Sequence, residues 1–178
     1  MSHFAVTVLG VDRPGIVAAV TGVLTDQGCN LEDTSMTILR GHFAMMLVVA
    51  AGDRSASDLE SALAAVAADL DLVVVVRPVR EVTGAARSTE GDWTVAVYGA
   101  DRPGIVSRVA GLLAGHGANI VDLSTRVIGA ADQPVYAMVL EVSLPGGSEV
   151  GSLTDGLQAL AAELGVSCSL HPSEADIL

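Results

Sequence analysis

Apolar and polar positions alternate with period two in the stretches FAVTVLG (4–10) and WTVAVYG (93–99), which predicts two half-buried strands. After the first, Ile16, Val17, Val20, Val23 and Leu24 fall at helical spacing between Pro14 and Gln27, and Gly28 ends the run. NLEDTSMTIL and HFAMMLVVA then read as strands joined by a tight turn at Arg40-Gly41. DLESALAAVAADL reads as a helix capped by Ser55 or Ser57. LVVVVRPV is a continuous apolar run, which predicts a strand covered on both faces. Met36, Met45, Met46 and Met138 fall in strand patterns and are expected in the core.

This series occurs twice. Asp12 maps onto Asp101, an offset of 89, and the same offset carries Val6, Val8, Gly10, Arg13, Pro14, Gly15, Ile16, Gly22, Gly28 and Asn30 onto identical residues. Residues are inserted around GAADQP in the second copy. Phe43-Ala44-Met45 then maps onto Tyr136-Ala137-Met138, and Leu59, Leu63 and Pro78 map onto Leu153, Leu157 and Pro172. Agreement on both sides of an insertion marks an internal duplication. The order β-α-β-β-α-β predicts an α+β protein of two ferredoxin-like units, each an antiparallel sheet with its helices on one face. The expected boundaries are 1–80 and 92–173, with a polar linker at 81–91 and a tail at 174–178. Each unit is small, so the halves are expected to pack together and their exposed sheet edges to favour a homodimer.

Composition narrows the function. The 178 residues are 51% hydrophobic, with a mean hydropathy of +0.54, yet no apolar run approaches the roughly 18 residues of a membrane span. The N-terminus shows no signal-peptide pattern, so a soluble, cytoplasmic protein without membrane contact is expected. A net charge of −12 and 3% aromatic content speak against direct nucleic-acid binding. All nine basic residues are arginine; without lysine there is neither Schiff-base chemistry nor a P-loop. Cys29 and Cys168 do not match between copies and read as packing residues. The four histidines build no metal or triad motif, and the glycines form no dinucleotide fingerprint. No cofactor, metal or catalytic residue is therefore expected.

The candidate chemistry lies in the repeated Asp-Arg-Pro-Gly. Pro suits the first helical position, and Gly15 beside it leaves the amides of Gly15, Ile16 and Val17 open to a carboxylate or phosphate. The blander reading is that Asp12 caps the helix and Arg13 is solvated. With Gly15 in the first helical turn, Gly15→Ala is expected to leave stability unchanged or raised. Asn30 and Asn119, two residues past the helix-ending glycines, are either turn residues or amides that donate to a carboxylate and accept from an ammonium.

VTVLGVDRPGIVAAVTGVLTDQGCNLEDTSM and VAVYGADRPGIVSRVAGLLAGHGANIVDLST both resemble the ACT domain, a regulatory module of ferredoxin-like fold. GCNLEDTSMTILRGHFAMMLVV is similar to the tandem-ACT family of glycine cleavage system transcriptional repressors. The resemblance implies a non-enzymatic amino-acid sensor, with glycine or serine as ligand and a transcription-regulator protein as partner. Carried onto this chain, the ligand residues it implies are Asp12, Arg13, Pro14, Gly15, Ile16 and Asn30, with Asp101, Arg102, Pro103, Gly104, Ile105 and Asn119. The alternative is an interaction or assembly protein whose ACT units stay empty.

Overall fold

A computed structural model describes residues 2–79, 92–128 and 134–173, and the chain divides into two compact units. The first comprises β1 (His3–Val11), α1 (Ile16–Asp26), β2 (Asn30–Leu39), β3 (His42–Ala50), α2 (Ala56–Asp69) and β4 (Leu72–Pro78). The second repeats the order as β5 (Asp92–Gly99), α3 (Ile105–Gly115), β6 (Asn119–Ile128), β7 (Val135–Ser143), α4 (Val150–Leu164) and β8 (Val166–Pro172). Each holds a four-stranded antiparallel sheet, in the orders β2-β3-β1-β4 and β6-β7-β5-β8. This is the ferredoxin-like fold the periodicity predicts. The predicted linker and tail, and most of the GAADQP insertion, lie outside the described residues.

Each sheet buries one face under its helices. In unit 1, Val6, Val8, Leu47 and Val49 meet Ile16, Val20 and Leu24 of α1 and Leu59 and Leu63 of α2. Unit 2 builds a separate core from Val95, Val97, Met138, Leu140, Ile105, Leu113, Leu153 and Leu157. The two cores share no residue. Met45 and Met138 are buried, as expected. Met36 and Met46, by contrast, are 46% and 54% exposed, because Met36 lies on the edge strand β2 and Met46 faces the side of the sheet without helices.

Local chemistry explains where the elements end. The amides of Gly28 and Cys29 bond to the carbonyls of Thr25 and Leu24, and those of Gly117 and Ala118 to Ala114 and Leu113. With φ of +75° and +73° at the glycines, both are Schellman endings. Arg40 and Gly41 both have positive φ, the requirement of the tight hairpin turn between β2 and β3. Ser55, not Ser57, caps α2: its hydroxyl accepts from the Asp58 amide while the Asp58 carboxylate accepts from the Ser55 amide. Those bonds hold the exposed Asp58 carboxyl below its usual titration range.

The outer edges of the sheets differ. Glu60 of α2 accepts from the β4 amide of Val76, and Gln158 of α4 donates to the β8 carbonyl of Cys168. Helix side chains thus occupy the edges of β4 and β8. β2 and β6 are ten-residue edge strands, and each carries a bulge at the same place, between Leu31 and Asp33 and between Ile120 and Asp122.

Among the described residues no helix is long and apolar enough to cross a membrane.

Candidate functional site

The helix starts differ from the sequence expectation in one respect. Pro14 and Gly15 form a turn, and α1 begins only at Ile16. Gly15 is the N-cap, at φ 95° and ψ −10°, and Gly104 stands equivalently at φ 93° and ψ −4° before α3. These are the angles of the third residue of a type II turn, where Pro-Gly is the favoured central pair. The turn wins over a Pro-initiated helix because the glycine adopts left-handed geometry without a Cβ penalty. Gly15→Ala and Gly104→Ala are therefore each expected to lower unfolding free energy by about 1–2 kcal/mol, the cost of left-handed geometry for an L-residue. Urea denaturation of either variant checks this, and an unchanged midpoint would contradict it.

The same geometry removes the blander reading of Asp12. Neither α1 nor α3 has a side-chain cap. The carbonyls of Gly15 and Gly104 accept the first helical bonds, from Ala19 and Arg108, while the first-turn amides have no side-chain partner and carry the positive end of the helix dipole. Asp12, Arg13 and Pro14 are exposed, as are Asp101, Arg102 and Pro103. Ile16 and Ile105 are each 1% exposed; their side chains anchor the helices in the core, and only their backbone faces the loop. The loop main chain is fixed in unit 1 by the Asp12 amide, which donates to the Gly41 carbonyl at 2.8 Å.

The two loops are not equivalent. Beside the second lies a concavity of about 300 Å³ lined by Asp101, Arg102, Gly104, Ile105, Val106, Ser107 and Tyr136. Tyr136 is 8% exposed; burial, and then the Asp101 charge, push its phenol up, while the Thr125 side chain draws it down. In unit 1 the matching residues are Phe43 and Met36, so the polar pair becomes an apolar one. A concavity of unit 1, about 400 Å³, is lined by Leu9, Gly10, Val11, His42, Phe43, Asp71 and Val73, none of which lies in the first turn of α1.

Arg102 is also committed elsewhere. Its Nη1 donates to the Leu164 carbonyl at 3.2 Å, at the C-terminus of α4. Gly165, the left-handed C-cap of α4 at φ 66°, lies beside the guanidinium: a Cβ there would be 3.3 Å from that nitrogen. Unit 1 has Asp71 at the matching position, and no such bond is recorded for Arg13 among the described residues. Arg102 therefore holds a helix end as well as lining the concavity.

Asn30 and Asn119 lie far from their own loops. Register puts Asn30 in one row with Ala50 and His3, whereas Val11, which leads into the loop, pairs with His42 at the other end of the sheet. Eight residues of β1 separate the rows, roughly 26 Å at 3.3 Å per residue. Asn119, in one row with Ser143 and Asp92, repeats this. Tyr136 is the residue that sequence reasoning passed over; the Phe43/Tyr136 mismatch inside an otherwise matched segment is the signal for it.

The profile of the ACT domain matches residues 2–77 and 94–171. The glycine cleavage system transcriptional repressor of Escherichia coli is 26% identical over 171 residues, covering 95% of this chain and 89% of that protein. The phosphoserine phosphatase SerB2 of Mycobacterium tuberculosis is 31% identical over 173 residues, spanning 89% of this chain but 38% of the enzyme. Among solved structures, an unknown protein from Galdieria sulphuraria superposes with a TM-score of 0.83 at 29% identity, covering 97% of this chain and 99% of that one. With two matched copies over most of its length, the chain belongs to the ACT-domain family.

Proposed function

We propose that this chain is a non-catalytic regulatory protein that binds a small amino acid, glycine or serine, at its helix-start loops. One observation carries the reading: both helices begin with a bare glycine N-cap beside an exposed Asp-Arg pair. Uncapped first-turn amides suit the ligand carboxylate. The neighbouring Asp12 or Asp101 carboxylate suits its ammonium, and the small space beside Tyr136 favours a short side chain. Asn30 or Asn119 reaches such a ligand only from a second copy of the fold, because its own unit holds it at the opposite end. The similarity to a glycine cleavage system transcriptional repressor supports a role in glycine or one-carbon metabolism, exerted through a transcription-regulator partner.

Calorimetric titration with the twenty amino acids tests this. Binding of glycine or serine is expected, and Asn119→Ala is expected to weaken it by about 1–3 kcal/mol, the value of a buried bond to a charged group. Heat-silent titrations with every amino acid would favour the assembly reading. That reading draws on the apolar side chains exposed along the open edges, among them Met36, Ile38, Leu123 and Val127.

Direct DNA binding is not expected of a chain with a net charge of −12. In a mobility-shift assay the purified protein is expected to leave duplex DNA unshifted. A sequence-selective shift that survives added salt would overturn this part of the reading.

A further inference from the structure

β4 and β8 occupy the same place in their sheets, yet their sequences obey different rules. β8 alternates as an antiparallel strand with one solvated face should: Val166, Cys168 and Leu170 share the helix-side face of the sheet, and Ser167, Ser169 and His171 the other. β4 reads Leu72-Val73-Val74-Val75-Val76, with Val73 and Val75 on the face away from the helices. There they lie beside Leu9 and Thr7 of β1, which in turn pair with Ala44 and Met46 of β3. Val73 is 61% exposed, Met46 54% and Leu9 46%. Instead of the covered strand its sequence predicts, β4 is an edge strand whose outer side chains are open. At the positions of Val48, Val73 and Val75, unit 2 carries Glu141, Ser167 and Ser169. The outer face is thus more apolar in the first copy than in the second, although Thr7, Ser35 and Thr37 also lie on it.

We propose that the outer face of the first sheet is the surface through which two copies of this chain associate, packed face to face about a two-fold axis. Charge selects the occupant. Two copies that each carry −12 repel, and a lasting contact between them needs a face with little charge. The centre of this one has none; its ionisable side chains, Asp33 on β2, Arg77 on β4, His42 on β3 and His3 with its partner Glu32, lie towards its ends. Chemistry selects it too. An apolar sheet face needs an apolar counterpart, which the matching face of unit 2, with Glu141 and the two serines, does not offer. A two-fold axis sets the patch against itself. The area fixes the strength. Four strands about 4.8 Å apart and seven residues long cover roughly 440 Å² per copy, or about 900 Å² in total. That lies below the roughly 1,200–2,000 Å² of stable complexes and within the range of weak, reversible ones. The dimer is accordingly concentration-dependent.

Sedimentation equilibrium of the full chain from about 1 to 500 μM, a span that covers weak association, tests this. The parent is expected to pass from 18.0 kDa to twice that mass within the range. The double variant Val73→Ser/Val75→Ser copies the pattern of β8, which the same fold already accommodates, and is expected to raise the dimer Kd at least tenfold. Met46→Glu, at an exposed site, is expected to do the same with an unchanged circular dichroism spectrum. Ser169→Glu on unit 2 and Ile38→Lys on the β2 edge are expected to leave the Kd within about twofold. A parent that stays monomeric throughout overturns the proposal. So does a dimer that survives both face variants, or one that only Ile38→Lys or Ser169→Glu dissolves.

Discussion

Leu47→Ala is expected to remove about 3 kcal/mol of stability, and to remove it from the first unit only. Leu47 is fully buried, and deletions of this kind in cores cost about 2–5 kcal/mol through lost transfer energy and a residual cavity. Leu140, equally buried in the second core, should behave alike in its own unit. The chain separates the two effects itself. Its one tryptophan, Trp93, packs against the second core and reports that unit by fluorescence. Leu140→Ala is expected to lower the melting transition seen by fluorescence by about 12–24 °C, from about 4–8 °C per kcal/mol in domains of this size. Leu47→Ala is expected to lower the far-ultraviolet dichroism transition while leaving the fluorescence one in place. If Leu47→Ala moves both together, the units do not melt independently and two cores without a shared residue do not make two cooperative units.

Gly99→Val is expected to be the most damaging of the glycine substitutions. A Cβ there would lie 2.7 Å from Val166 Cγ1 and 3.0 Å from its Cα, and one on Gly10 would lie 2.5 Å from Leu72 Cδ2 and 3.1 Å from the Asp71 carbonyl. Neither glycine has a positive φ, so the requirement is space and not conformation. A valine pushes β8 off β5 or β4 off β1, with an overpacking cost of about 1–3 kcal/mol or more. Because Asp101 follows two residues later, the loop shifts with the strand, and amino-acid affinity is expected to fall alongside stability. Gly22 and Gly111 recur just as faithfully, yet nothing lies within 4 Å of a Cβ at either. Gly22→Ala and Gly111→Ala are expected to be neutral or to stabilise by up to about 1 kcal/mol. Urea midpoints for Gly10→Val, Gly99→Val, Gly22→Ala and Gly111→Ala decide the matter; a Gly99→Val protein as stable as its parent would refute the close approach of Gly99 to Val166.

The order of elements was legible because each boundary carries its own chemistry: Gly28 for a helix end, Arg40-Gly41 for a hairpin, Ser55 for a cap. The start of α1 was less legible. Pro-Gly serves equally as the opening of a helix or the centre of a type II turn, and helical periodicity does not distinguish them. The candidate ligand residues show a different kind of ambiguity. Asn30 follows Gly15 closely in sequence, but α1 runs back along the sheet between them, so proximity in the chain becomes separation in space. β4 was misread for a third reason. Periodicity reports which faces of a strand are apolar, whereas the cover over an outer face must come from outside the unit.

The matched bulges in β2 and β6 limit what can be added to these sheets. Glu32 and Val121 are the extra residues, unpaired in register with β3 and β7. An extended peptide laid along either open edge can stay in continuous register only over Asp33–Leu39 or Asp122–Ile128; beyond that the strand bends and its hydrogen-bonding groups fall out of phase. Together with the Glu60 and Gln158 side chains on the opposite edges, this makes each sheet a poor template for fibre growth. A chain that is half hydrophobic can thereby keep its strands paired within itself.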